Sequence, residues 1–176
     1  GRSEDGTILV EAVLVMPTLV WVTLAMFVFW DGYRSKNIIQ KATYTISDAI
    51  SRIETDIDGN YINGLLGVMN YLLDDSQQAK MRVTSVTYKE ADDDYQILWS
   101  YSPGNNITPL AQGVLAVPAF QAKIPNLADG DTVVVVETQV DFEPAFDVGM
   151  ADLTIENFIV TRPRSGRVCF VAIACF

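Results

Sequence analysis

Histidine is absent from the 176 residues, and every catalytic triad or metal centre that depends on imidazole goes with it. Cysteine occurs only twice, as Cys169 and Cys175, with no second pair to complete a metal-binding set. No glycine-rich phosphate loop follows a candidate strand. Cationic residues are scarce: 12 Lys and Arg stand against 22 Asp and Glu, for a net charge of -10. With neither a basic stripe nor an aromatic platform to offset that charge, nucleic acid is not an expected partner. Paired carboxylates can do acid–base work, but no pattern singles a pair out. The expectation is a protein that is not an enzyme, with no catalytic, cofactor-binding or metal residues and no small-molecule substrate.

Acidity is unevenly spread. Residues 1–50 carry 5 acidic and 4 basic side chains, whereas the remainder carries 17 and 8. The distal part reads as one acidic head with a single modest core. The proximal part holds an apolar run from Ile8 to Trp30 interrupted by one carboxylate, Glu11. At about 1.5 Å per residue, the charge-free stretch from Ala12 to Trp30 is long enough to span a bilayer. No small-residue cleavage site follows it, so the run stays attached as an anchor rather than leaving as a secretory signal. Arg34 and Lys36 beyond the run match or exceed Arg2 before it, so the positive-inside rule gives no support for a cytoplasmic N-terminus.

Beyond Trp30, Ile39, Ala42, Ile46, Ala49, Ile50, Ile53 and Ile57 recur at steps of three and four, the period of a helical stripe. One nearly continuous helix is therefore expected from about residue 7 to 56, roughly 75 Å long, with Pro17 as the place for a kink and Asp58-Gly59-Asn60 as its stop. A second stripe, Ile62, Leu65, Leu66, Met69, Leu72 and Leu73, predicts a shorter helix ending near Gln78. From Met81 the period becomes two. Val83–Tyr88 and Tyr95–Tyr101 read as a hairpin, and residues 102–130, rich in Pro and Gly, as mostly loop. Thr132–Phe142 is the strongest strand, followed by a final pair at Thr154–Arg162 and Arg167–Phe176. The fold class is α+β: a long N-terminal transmembrane helix continuing into an amphipathic one, and a second shorter helix, packed on an antiparallel sheet of four to five strands.

Several polar groups invite functional readings. Asp92, Asp93 and Asp94 offer hard oxygen ligands for calcium, but consecutive carboxylates in a hairpin diverge, and a solvated turn is the better reading. Asp56 and Asp58 mimic the start of a calcium loop without its later Glu, which favours a helix terminus. Glu137 fits a solvent-facing position on its strand. Arg162 and Arg164 flank Pro163 in an expected exposed turn, with docking to a partner the lesser reading. Cys169 and Cys175 on one extended strand would stand roughly 20 Å apart, against roughly 4.4–6.8 Å for a disulfide, so they are expected to be unbonded.

The motif Gly6-Thr7-Ile8-Leu9-Val10-Glu11, followed by Ala12 to Met16 and Pro17, resembles the start of the TadE/TadG-like proteins of the tight adherence (Tad) pilus system. The strand Val133–Glu137 leading to Phe142-Glu143-Pro144, and the late Arg162-Pro163-Arg164, resemble that family's C-terminal half. The resemblance implies a pilin-like minor pilin or pseudopilin supporting pilus assembly and surface adhesion. Residues 1–6 would be a leader cut by a prepilin peptidase between Gly6 and Thr7, 7–30 a transmembrane helix and 31–176 the head. It further implies a bacterial inner-membrane location, with the N-terminus cytoplasmic and the head periplasmic or extracellular, whether at the pilus base or within the fibre. Its partners would be membrane lipid and other Tad pilins. Glu11 would be an assembly contact, pairing with the free amine of a neighbour whose leader has been removed. The alternative is a single-pass anchored binding or receptor domain whose helix is merely a tether.

Overall fold

The computed structural model describes residues 5–73, 77–171 and 173. Helix α1 spans Asp5–Ser51 without interruption, Pro17 included, so the expected continuity between Trp30 and Gln40 holds. It stops at Ser51, five residues before the expected end. Ile53 and Ile57 nevertheless turn inward from the connection that follows. Asp58 starts helix α2, Gly59–Leu72, instead of stopping α1. Its Oδ1 accepts from the Tyr61 backbone N–H at 2.8 Å, and its Oδ2 from Asn60 Nδ2 at 3.2 Å. An aspartate beside glycine serves an N-cap as readily as a helix end, which is why the sequence misassigned it. Gly59 sits at a close approach, since a Cβ there would lie 2.9 Å from the Tyr101 hydroxyl and the ring would have to shift.

Four antiparallel strands follow: β1 (Ala79–Lys89), β2 (Asp94–Tyr101), β3 (Thr132–Phe142) and β4 (Leu153–Thr161), in the spatial order β2-β1-β3-β4. The isoleucine stripe of α1 lies against one face of this sheet. Ile39, Ala42, Ile46 and Ile50 join Ile57, Ile62, Met69, Met81, Val83, Val134, Val136, Val140 and Phe142 in the main core. The opposite face is covered as well. Within the 102–130 crossover, α3 (Gln112–Leu115) and α4 (Pro118–Gln121) help bring Leu110, Leu115 and Ile124 onto Val86, Val133 and Val135. Val133–Val136 is therefore buried on both sides of the sheet, which explains four consecutive valines.

An irregularity in the β1–β2 register divides a side-chain row that sequence alternation placed on one face. Ser85 pairs with Trp99 and Val86 with Ile97, leaving Leu98 as the extra residue. Trp99 consequently joins the core beneath α1, whereas Ile97 faces the crossover. The edge of β2 is met by a side chain: Gln112 donates to the Tyr95 carbonyl and accepts from the Ile97 N–H at 3.0 Å.

The C-terminal segment departs most from expectation. Residues 167–171 form no strand, and Ile57 pairs in parallel with Phe170 in an isolated bridge. The Ile57 N–H donates to the Cys169 carbonyl at 2.8 Å, and the Val171 N–H donates to the Ile57 carbonyl at 3.0 Å. Phe170 packs against Trp99 and Tyr101, and Trp99 Nε1 donates to the Val168 carbonyl at 2.9 Å. The chain then reverses, with Ile173 N–H donating to the Phe170 carbonyl at 2.8 Å. The expectation of unbonded cysteines fails with the strand it assumed: Cys169 is disulfide-bonded, and the sequence offers only Cys175, outside the described residues, as its partner. Intact mass under non-reducing denaturing conditions should show the loss of one hydrogen per thiol, restored by reduction.

Glu137 is likewise not solvent-facing. It sits opposite Arg82 in the β1–β3 register, and Arg82 Nε donates to its carboxylate at 2.6 Å, with the two side chains only 14% and 16% exposed. Arg82 also donates to the Thr108 carbonyl, which pins the crossover. Arg82→Met would leave Glu137 covered and unpaired. The expected cost is about 1–3 kcal/mol, below that of a fully buried pair because some water still reaches both groups. Arg82→Met combined with Glu137→Leu should recover most of it, as measured by denaturant unfolding of the full chain in detergent.

Candidate functional site

Two halves of α1 have opposite surroundings, and the boundary between them defines the site. From Val10 to Thr23 each side chain is exposed, Leu14 to 67%, although nearly all are apolar. The helix is long and apolar enough to cross a membrane, with only 11% of its most apolar window buried. Thr18 and Thr23 return their hydroxyl protons to the carbonyls of Leu14 and Leu19, at 2.9 and 2.8 Å. Such internal satisfaction is what a helix in hydrocarbon requires, since lipid offers no hydrogen bonds.

Glu11 lies exposed on this bare segment and has no ion-pair partner among the described residues. Gly6 and Thr7 fall in the first turns of α1, and their side chains lie outside what is described, as do residues 1–4 of the expected leader. Glu11 precedes the first fully buried α1 residue, Val28, by 17 positions, about 25 Å along the axis. The structure thus separates the sequence-predicted contact from the head.

The head grips α1 through polar pins set in an apolar seam. Thr43 Oγ1 lies 2.9 Å from Thr138 Oγ1, both side chains buried, and Thr43 also bonds the Ile39 carbonyl at 2.8 Å. Ser47 bonds Thr161. At the end of the helix the Arg164 N–H donates to the Ser51 carbonyl at 2.8 Å, and Ser165 Oγ donates to the Ile53 carbonyl at 2.6 Å. Arg164 and Arg52 both reach Asp48, at 3.2 and 2.8 Å, while Arg162 pairs with Asp131. The turn around Pro163 is exposed at its arginines, as the sequence suggested, yet it fastens β4 to α1 and to the β3 entrance. These contacts hold the helix in one register against the sheet.

The acidic turn uses its carboxylates locally. Asp92 accepts from Gln96 Nε2 at 3.0 Å, Asp93 from the Tyr88 hydroxyl at 2.7 Å, and Asp94 from Gln121 Nε2 at 3.2 Å. The bond to Asp93 pushes the Tyr88 phenol up to about 12, burial and the nearby negative charges adding to it. Hydrogen bonding from Arg52 lowers the Asp48 carboxyl against the opposing effect of desolvation, with attraction from Arg52 and Arg164 and a hydrogen bond from Arg164 assisting. Lys80 and Thr154 lower Asp141 in the same way. What sequence reading missed at the base of the head is Phe146, whose ring meets Phe27 of α1 at 6.3 Å between centroids. The unusual Phe142-Glu143-Pro144-Ala145-Phe146 spacing after the best strand was its only trace.

No family model, curated protein or solved structure matches the chain.

The lowered carboxyls give a signed pH dependence. Their folded values lie below the ordinary carboxylate value of about 4, so their stabilisation is present above that pH and is lost as pH falls through the folded values. Tyr88 acts in the other direction, its contribution being present below the ordinary phenol value of about 10 and lost as pH rises towards about 12. Thermal midpoints of the full chain should fall on acidification, less steeply in Asp48→Asn/Asp141→Asn. In alkaline titration, Tyr88→Phe should remove a phenol that ionises at about 12.

Proposed function

We propose that this chain is a membrane-anchored minor pilin or pseudopilin of a tight adherence system, acting in pilus assembly by helix packing rather than by chemistry. The observation that carries the reading is the undivided α1, bare over its first half and central to the head core over its second. A tether needs only to reach the membrane, and a flexible linker would serve. Here the apolar segment and the core-packed segment are one uninterrupted helix, so displacement of the first bears directly on the sheet.

In this reading the N-terminus is cytoplasmic, the first half of α1 lies in the inner membrane, and the head is periplasmic or extracellular. The disulfide at Cys169 supports that orientation, because disulfides persist in oxidising compartments. A prepilin peptidase removes the leader after Gly6, exposing an ammonium at Thr7. Extraction then exchanges lipid around α1 for neighbouring helices. A carboxylate such as Glu11 costs about 3 kcal/mol at mid-bilayer and less near the edge, and a neighbour's ammonium would supply its missing partner. That pair would fix the axial register of one subunit on the next.

The rival reading is a single-pass anchored binding or receptor domain. N-terminal mass analysis of native protein separates the two, since an intact leader favours the tether. Glu11→Val or Glu11→Gln should leave membrane insertion and head folding intact, because a neutral residue suits lipid better, yet abolish piliation. Gly6→Trp should block leader removal. The double variant should look no worse than Gly6→Trp alone, since both remove one contact. Full piliation with Glu11→Val would refute the pairing.

A further inference from the structure

The bare segment of α1 does not meet water and the head at a clean boundary. Phe27 lies inside the apolar run, three residues before Trp30, or about 4.5 Å deeper along the axis. The Phe146 ring packs edge-on against it. Phe146 belongs to the connection between β3 and β4, residues 143–152, so the head reaches down alongside α1 as far as Phe27. It has little room to withdraw. Phe142 at the end of β3 is 1% exposed and sits 3.7 Å from where a Cβ of Gly32 would be, and the Asp147 side chain closes the turn by accepting from the Gly149 N–H at 3.2 Å.

The surface around this contact is apolar and open. Phe146 is 45% exposed and Leu153 41%, beside Phe29, Trp30 and Tyr33 on α1 at 56%, 59% and 72%. A cleft on this surface is lined by Phe29, Gly32, Tyr33, Met150 and Leu153 and bordered by Lys36. Lys36 has no salt bridge among the described residues. It stands seven residues after Phe29, about 10 Å farther along the helix, enough to carry its ammonium from the acyl edge through a headgroup layer of about 5–8 Å. Trp30, Tyr33 and the neighbouring Arg34, whose guanidinium lies 5.8 Å from the centre of the Trp30 ring, are the residue types that mark such a boundary.

We propose that the β3–β4 connection is a second membrane contact, with Phe146 and Leu153 entering the acyl–headgroup boundary of a phospholipid bilayer beside α1. The occupant follows from continuity, since the patch extends the bare surface of the anchor without a polar break at Phe27. Glu143, Asp147 and Asp152 in the same connection limit the entry to a shallow one, with the rings in the boundary and the carboxylates among headgroups. The head is thereby seated on the membrane at two points, α1 and this connection, and its tilt is restricted before assembly. The inference rests on the membrane anchor proposed above and is independent of the pilus assignment.

The test uses the full chain in phosphatidylcholine vesicles, with an environment-sensitive fluorophore on a cysteine introduced singly by Phe146→Cys, Leu153→Cys, Trp21→Cys or Asp93→Cys. Cys169 is bonded and does not compete for the label without reductant. Nitroxide lipids quench either near the headgroup or at the chain end. The expected result is that labels at 146 and 153 lose most emission to the headgroup nitroxide, the label at 21 to the chain-end nitroxide, and the label at 93 to neither. Quenching at 21 without quenching at 146 and 153 would overturn the seated head and leave the anchor standing. Absence of quenching at 21 would overturn the anchor and the proposal with it. Labels at 146 and 153 that are blue-shifted, unquenched and sensitive to the protein-to-lipid ratio would identify a second copy as the occupant, and overturn the lipid assignment. Using both positions guards against a local effect of losing the Phe146 ring.

Discussion

Everything in the head is arranged around the seam between the second half of α1 and the sheet, and the Thr43–Thr138 hydrogen bond lies in the middle of it. Isoleucine on valine gives cohesion but little axial specificity, because a helix slid by one turn would still present apolar groups to the sheet. A buried hydroxyl pair changes that. A slide of about 5 Å would leave Thr43 its bond to the Ile39 carbonyl but strand the buried Thr138 hydroxyl, at about 1–3 kcal/mol, so the pair selects one register among several that hydrophobic burial would accept. Ser47 with Thr161, and the Arg164 N–H on the Ser51 carbonyl, repeat the same device nearer the helix end.

That registry matters because the two halves of α1 have different surroundings, the first bare and the second packed in the core. The first half is suited to hydrocarbon, with its threonine hydroxyls turned back on the helix, and the second is suited to a protein core. No hinge separates them, since the helix continues through Asp31 and Gly32. The position of the head therefore follows from that of the bare segment. The C-terminal segment completes the arrangement by closing the far end of the core, where Phe170 covers Trp99 and Tyr101 while Ile57 takes backbone bonds from both sides of it.

Periodicity carried a large part of this into the sequence. The 3,4-spaced isoleucines gave α1 and the face it buries, and the run Thr132–Phe142 gave β3 at its observed limits. What sequence could not show were features set by partners distant in the chain. Tyr95, Ile97, Trp99 and Tyr101 alternate as one face, yet the extra residue Leu98 sends Ile97 and Trp99 to opposite sides, and single-strand periodicity contains no signal for a bulge. Glu137 looked exposed because its covering loop and its partner Arg82 lie far off in sequence. The cysteines looked too distant because the Phe170–Ile173 reversal uses no Gly, Pro or Asn. At the candidate site, Glu11 and its surroundings were legible from composition alone, whereas Phe146 needed the fold to bring it to Phe27.

The amide of Gln112 occupies the place that one residue of a neighbouring strand would take, filling the outward Tyr95 carbonyl and Ile97 N–H of β2. An open strand edge invites growth by strand addition, an indiscriminate mode of association that any extended segment can satisfy. With that stretch of edge occupied from within, a second chain gains nothing there unless it first displaces the glutamine. Any association of this chain is thereby turned away from backbone pairing at that stretch and towards surfaces such as the long bare helix, where side chains rather than backbone make the match.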